Sequence, residues 1–211
     1  MNRLLILALV LAGLVFAGGR ASAHPHVWVT MSSEVLYDSK GDVTGLRHAW
    51  TFDDMYSAFA TQGLESKQKG VFTREELASL AEVNISSLKE YDFFSYAKVN
   101  GTRAEFSDPV DYWLEYKNET LTLHFTLPLK KPAKTQNFNF EVYDPTYFVD
   151  FALAEKDPVR LAGAPSGCKV AIAKPEDAAT MAKPGESFFN QADSSSNWGA
   201  QFASHISVKC P

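Results

Sequence analysis

Apolar and polar residues alternate along much of the chain from Val27 onward, the pattern of strands that bury one face. The alternation is cleanest over residues 121–127, where His124 lies on the polar face. Val27–Tyr37 and Val43–Phe52 flank a turn-forming cluster at 38–42, so they predict a β-hairpin. Further strands are predicted at 93–99, 104–106, 110–116, 137–143, 147–153, 169–173 and 202–210, with a connection at 128–132.

The region between about 53 and 92 has helical spacing instead. Asp53 and Asp54 can cap a helix that ends near Gln62, and Thr73 with Glu76 forms a capping box for a helix over 74–90. A short helix at 175–181 and a loop at 185–197 are also predicted. The fold class is therefore α+β: an antiparallel β-sandwich-like body with a helical insertion.

The two predicted helices flank a segment, 65–76, with the frame of an EF-hand calcium loop. Gly70 stands at position six and Glu76 at position twelve. Positions three and five, where Ca²⁺ needs carboxylate or amide oxygens, are Lys67 and Lys69. We therefore expect the shape of a degenerate EF-hand loop without calcium, because two ammonium groups repel the cation.

The amino terminus has the layout of a cleaved secretory signal. A positive start is followed by an apolar stretch and by small residues ending in Ala-x-Ala at Ala23. We expect residues 1–23 to be the signal peptide and residues 24–211 to form one domain in the periplasm, with no stable membrane anchor after cleavage. His24 would then begin the mature chain.

Charge and cysteine content narrow the function. Loss of Arg3 and Arg20 with the signal would move the net charge from −5 to −7, which gives no electrostatic basis for binding nucleic acid. In an exported chain the two cysteines, Cys168 and Cys210, predict one disulfide bond. The alternative, a dithiolate metal site, lacks the usual Cys-x-x-Cys spacing.

A terminal His24 would offer a metal its α-amine and its imidazole, and His26 would add a second imidazole. Pro25 has no amide N–H, which excludes the amino-terminal copper and nickel chelate that needs a deprotonated second amide. We predict a site for divalent Ni, Co, Zn or Cu. Its candidate ligands are His24, His26, His48 and His124, with Asp53, Asp54 or Asp144 as a carboxylate.

Each of these residues has a structural alternative. His24 and His26 can be a polar strand start, His48 can hydrogen-bond on the polar face of the second strand, and His124 can pair across the sheet. His205 is expected to be structural.

Two other classes of function stay open. One is a metal-free docking module for a membrane permease. The other is an oxidoreductase with a copper His-brace, in which a terminal histidine and another imidazole hold copper. The sequence has no serine or cysteine nucleophile motif and no phosphate loop, so we do not expect an enzyme.

Several motifs resemble one bacterial family, the domain-of-unknown-function 1007 family. They are HPHVWV at 24–29, LRHAWTFD at 46–53, EYDFF at 90–94, DYWL at 111–114, LTLHF at 121–125 and EVYDPTY at 141–147. The resemblance implies a periplasmic component of an uncharacterised ABC-type transport system, often linked to nickel/cobalt-type transporters. It also implies an acidic calcium-like loop where this chain has Lys67 and Lys69. We therefore expect an accessory protein that binds a transition metal and works with an inner-membrane metal transporter.

Overall fold

The computed structural model describes residues 25–68, 70–134, 136–175 and 197–211. Two β-sheets face each other, and two helices lie between β2 and β3 in the chain, as the α+β class requires. The strands are β1 (Val27–Tyr37), β2 (Val43–Phe52), β3 (Ser95–Val99), β4 (Thr102–Ala104), β5 (Val110–Lys117), β6 (Thr120–Ala133), β7 (Asn137–Val142), β8 (Val149–Leu153), β9 (Val159–Ala162), β10 (Lys169–Ala173) and β11 (His205–Lys209).

The first sheet has the strand order β5-β6-β2-β1-β8, and β9 also pairs with β1. The second has the order β10-β11-β7-β3-β4. The predicted β1–β2 hairpin is present, with Ser33 opposite His48. The expectation of antiparallel pairing throughout is wrong at one edge, because β8 and β9 run parallel to β1.

The helical insertion consists of α1 (Asp54–Thr61) and α2 (Ala78–Leu88). Asp53 caps α1 by accepting the Tyr56 N–H at 2.8 Å, as predicted. The capping box is also present, with Glu76 Oε2 accepting the Thr73 N–H at 2.8 Å, although α2 begins later than the predicted residue 74. Among the described residues, neither helix is long and apolar enough to cross a membrane.

The core lies between the inner faces of the sheets and beneath the insertion. On β6 the four apolar residues of the alternating run, from Leu121 to Leu127, are at most 1% exposed. The insertion adds Leu77 and Ala81 to this core. Ser57 fixes it in place, because its Oγ accepts the Leu121 N–H at 2.9 Å and donates to the Asp53 carbonyl at 2.7 Å.

A left-handed segment separates the insertion from β3. Asp92, Phe93 and Phe94 have φ angles of 51°, 53° and 47°. Left-handed backbone costs an L-residue roughly 1–2 kcal/mol, and three such residues in a row are unusual. The strand predicted from residue 93 therefore begins only at Ser95.

Other boundaries also differ from the sequence expectation. The predicted connection at 128–132 belongs to β6, whose Pro128 lies opposite Gly45 beside a register shift. β9 has no counterpart among the predicted strands. The predicted helix at 175–181 and loop at 185–197 fall largely outside the described residues.

The predicted disulfide is present, and Cys168 and Cys210 lie 4.1 Å apart between their Cα atoms. β10 and β11, which adjoin these cysteines, pair antiparallel with Lys169 opposite Lys209. The bond therefore closes a loop of 42 residues at the end of the second sheet.

We predict that replacing both cysteines, in Cys168→Ser/Cys210→Ser, lowers the free energy of unfolding by about 3–4 kcal/mol, because the unfolded chain regains the entropy of an open loop. Urea denaturation of the two proteins measures the difference. A reductant should destabilise the wild-type protein and leave the variant unchanged. Equal stability of the two proteins would contradict the prediction.

Candidate functional site

His26 lies at the surface where the described chain begins. Its imidazole stacks on Phe148, with ring centroids 4.7 Å apart, and its backbone N–H donates to the Phe148 carbonyl at 2.9 Å. The side chain is exposed. The pairing of β1 with β8 places it there, since Val27 lies opposite Val149 in the next register position. His24 lies outside the described residues.

Asp144 lies close to the same corner but is 3% exposed. Its Oδ1 accepts from the backbone N–H and hydroxyl of Thr146, and its Oδ2 accepts from the N–H groups of Phe148 and Val149, at 2.8–3.1 Å. The carboxylate thus organises the loop between β7 and β8. Gly199 packs so tightly against the Asp144 carbonyl that a Cβ there would overlap it.

The other two candidate carboxylates also accept backbone hydrogen bonds. Asp53 accepts the Trp28 N–H through Oδ2 at 2.9 Å, in addition to capping α1. Asp54 accepts the Met55 N–H at 2.9 Å. Asp53 therefore joins the start of α1 to the start of β1 at Trp28, two residues after His26.

His48 lies inside the protein and not on the polar face of β2, so that placement was wrong. It is 1% exposed and shares its face of β2 with Leu46 and Trp50. Its Nδ1 lies 2.8 Å from Ser33 Oγ on β1, and its Nε2 lies 3.3 Å from Ser95 Oγ on β3. The imidazole therefore joins the two sheets by hydrogen bonds.

The hydrogen-bond chain defines the neutral form of His48. Ser95 Oγ donates to the Phe93 carbonyl at 2.9 Å, so this hydroxyl accepts from the N–H at Nε2, and the Ser33 hydroxyl donates to Nδ1. Burial disfavours the charged imidazolium and lowers the pKa of His48 from 6.5 to about 3. Both ring nitrogens are engaged, which leaves no lone pair for a metal.

His124 lies on the outer face of the same sheet. Its ring stacks on Trp113 at 4.0 Å between centroids, and the Arg74 guanidinium lies 4.9 Å from the Trp113 ring. Its Nε2 is 3.5 Å from Glu115 Oε2, an ion-pair distance, and makes no hydrogen bond within the described residues. Burial lowers the pKa of His124, and Glu115 partly opposes that effect.

The structure does not bring the described candidate ligands together. His124 lies opposite Ala49, the neighbour of His48, so the two imidazoles point to opposite faces of one sheet. His26 precedes Ser33, the partner of His48, by seven positions, or about 23 Å of strand. Within the described ranges, no three His, Cys, Asp or Glu side chains are placed to hold a metal ion.

The loop with an EF-hand frame is closed by its own glutamate. Glu76 accepts the Lys67 N–H through Oε1 and the Thr73 N–H through Oε2, both at 2.8 Å. These backbone hydrogen bonds, led by that from Thr73, lower the pKa of Glu76. The carboxylate at position twelve thus binds two amides of the loop.

An apolar cleft of about 190 Å³, which no sequence motif indicated, lies between the first sheet and α2. We call it the aromatic cleft; its walls include Val29, Trp50, Leu88, Phe94 and Phe151. The motifs at 46–53 and 90–94 contain four of its aromatic residues, but separate stretches of sequence do not reveal that they share a cavity.

We predict that His48 makes the protein less stable as the pH falls. The unfolded chain takes up a proton near pH 6.5 and the folded protein only near pH 3. The stabilisation is therefore complete above pH 6.5 and falls by about 1.4 kcal/mol per pH unit between these values. Urea denaturation from pH 7 to pH 4 measures this slope.

His48→Gln, which retains a donor and an acceptor, should flatten that slope. The matched control is His205→Gln, because His205 is exposed and paired with Glu141 at 2.7 Å. The same slope in wild type and His48→Gln would contradict the assignment.

We predict that Asp144→Ala lowers the free energy of unfolding by about 3 kcal/mol, because four donors around a buried position lose their acceptor. Asp144→Asn should cost less, since the amide oxygen still accepts two of the four hydrogen bonds. Urea denaturation measures both. A loss below about 1 kcal/mol for Asp144→Ala would show that the loop does not depend on the carboxylate.

Two relatives of this chain are named as uncharacterised proteins. An uncharacterised protein of Haemophilus influenzae (strain ATCC 51907 / DSM 11121 / KW20 / Rd) is 24% identical over 206 residues, which cover 95% of this chain and 97% of that protein. An uncharacterised 15.5 kDa protein in the trpE 3′ region of Spirochaeta aurantia is 28% identical over 94 residues, 44% of this chain and 66% of that protein.

The family match is broader. Residues 8–210 fit the family described as "Protein of unknown function (DUF1007)", which includes all six motifs of the sequence analysis. The resemblance drawn from those motifs is confirmed, and the chain belongs to the DUF1007 family.

Proposed function

We propose that this protein is a periplasmic accessory of a transition-metal transport system and binds a divalent metal at its mature amino terminus. The ligands in this proposal are the α-amine and imidazole of His24 and the imidazole of His26. Amine and imidazole nitrogens suit Ni, Co, Zn and Cu. The partner is an inner-membrane metal transporter.

The observation that carries the proposal is the position of His26. It is exposed, and its imidazole stacks on the Phe148 ring. It lies two residues after His24, the predicted first residue of the mature chain. His48 and Asp144 are buried in hydrogen-bond networks, and His124 lies on another face of the molecule. The proposal therefore narrows the predicted ligand set to the amino-terminal pair.

The disulfide supports the exported location. A bond between Cys168 and Cys210 persists in an oxidising compartment and is rare in the cytosol. Together with the signal-like sequence of residues 1–23, it favours the periplasm.

The test is calorimetric titration of the metal-stripped mature protein, beginning at His24, with Cu(II), Ni(II), Co(II) and Zn(II). We expect one site per chain. An added residue before His24 should weaken binding at least about tenfold, because it removes the amine from the chelate, and His26→Ala should do the same. His205→Ala is the matched control and should bind as the wild type does.

Equal affinity in the wild type, the extended protein, His26→Ala and His205→Ala would show that the metal binds at another site. The absence of binding to every protein would overturn the proposal.

A second candidate, a metal-free docking module, is favoured by exposed apolar residues on α1. Met55 and Phe59 are four positions apart on one face and are 67% and 74% exposed. Replacing His24 and His26 would leave docking on the transporter intact, whereas Met55→Ser/Phe59→Ser would weaken it. Co-purification with an inner-membrane metal transporter distinguishes the two candidates.

A further inference from the structure

The wall of the aromatic cleft includes a buried tryptophan, Trp50. Trp50 is 1% exposed, and its Nε1 makes no hydrogen bond in the part of the chain that the structure describes. A buried N–H rarely lacks an acceptor, because its hydrogen bond to water is lost on folding and no bond within the protein replaces it. This indole lines the cleft.

The other polar side chains around the inner part of the cleft are engaged. The Tyr56 hydroxyl donates to Asn84 Oδ1 at 3.2 Å, and Asn84 Nδ2 donates to the Leu80 carbonyl at 2.8 Å. Ser87 donates to the Val83 carbonyl at 2.8 Å. Among the described side chains of this wall, Trp50 Nε1 therefore differs from the others because it is buried and makes no hydrogen bond.

The walls favour a ring. Trp50 and Phe151 meet edge to face with centroids 4.8 Å apart, and Phe94 meets Phe151 at 5.7 Å. The edges and faces of these side-chain rings can contact a further aromatic ring in the same edge-to-face or offset-stacked arrangements. The volume of about 190 Å³ exceeds that of a buried cavity that holds benzene, and it accommodates roughly 6–12 non-hydrogen atoms.

The charge of the occupant also follows from the lining. None of the described residues that line the cleft is Asp, Glu, Lys, Arg or His. A carboxylate or an ammonium group would lose its water there without an ionic partner, which is strongly unfavourable. The occupant is therefore neutral.

One wall is held in an unfavourable conformation. Phe94, with φ of 47°, ends the left-handed segment that begins at Asp92, and this segment turns the chain between Tyr91 on the rim and Ser95 in the core. Strained backbone of this kind is found where a site needs a fixed shape.

We propose that the aromatic cleft binds a small neutral aromatic molecule whose hydrogen-bond acceptor, such as a ketone oxygen, receives the Trp50 indole N–H. This inference does not depend on the proposed metal site. The cleft opens beside Phe148, which carries His26, so the two sites would be neighbours on one corner of the molecule.

The test uses two probes of the same shape, acetophenone and α-methylstyrene, which has a CH₂ group in place of the ketone oxygen. The mature protein is labelled with ¹⁵N, and the indole N–H signals of its four tryptophans are followed by NMR. Trp50→Phe identifies the Trp50 signal. Acetophenone should shift that signal downfield and bind about fivefold to tenfold more tightly than α-methylstyrene.

Two surface variants test the location without changing the core. Ser87 lines the cleft and Ser86 does not, yet both are exposed on α2 and donate to the Val83 carbonyl. Ser87→Phe should block the cleft and abolish binding of both probes, whereas Ser86→Phe should bind them as the wild type does. These variants remain informative if Trp50→Phe does not fold.

Equal binding of the probes by Ser86→Phe and Ser87→Phe would overturn the location. Equal affinity of the two probes, with no shift of the Trp50 signal, would overturn the role of the indole. A wild-type protein that binds neither probe would overturn the proposal as a whole. Loss of metal binding in the His24 and His26 variants with unchanged probe binding would separate the two sites.

Discussion

The hydrogen bonding of β1 along both of its edges positions most of this structure. β2 runs antiparallel on one edge, and β8 and then β9 run parallel on the other. With both edges paired, the alternation along β1 is fixed, and Ser33 must face the core at 2% exposure. A buried hydroxyl requires a partner, and His48 supplies it from the opposing register position. The polar bridge between the sheets follows from that pairing.

Local signals predicted the elements that local interactions determine. The β1–β2 hairpin is an example, since its turn cluster at 38–42 is closed by the Asp38 N–H, which donates to the Asp42 carbonyl at 3.0 Å. The Thr73–Glu76 capping box is another. The Cys168–Cys210 bond is not local, and it could be predicted because the chain has only two cysteines. The parallel pairing of β1 could not be predicted, because no turn or short connection joins strands so distant in sequence.

The candidate site depended on registers that sequence leaves undetermined. His48 and His124 are both single histidines among apolar residues, and a shift of one residue exchanges the two faces of a strand. Their strands place one in the core and the other on the outer surface. Asp144 was a candidate metal ligand because it is an acidic residue beside Pro145 in a loop. Those sequence features are the same whether the carboxylate binds a cation or, as here, backbone N–H groups. The aromatic cleft has walls from four separate stretches, so only the assembled fold shows it.

The parallel edge of β1 also bears on the order in which the chain can fold. The β1–β2 hairpin can form as soon as residue 52 is available. The strands that pair with the other edge of β1 are β8 and β9, and their paired residues lie between Val149 and Ala162. Until those residues arrive, β1 presents a row of unpaired backbone groups, a surface to which another chain can add. Long-range pairing of this kind is slow to form. A half-synthesised chain is thus open to strand exchange with its neighbours, and passage through a membrane before folding would postpone that risk until the whole sequence is present.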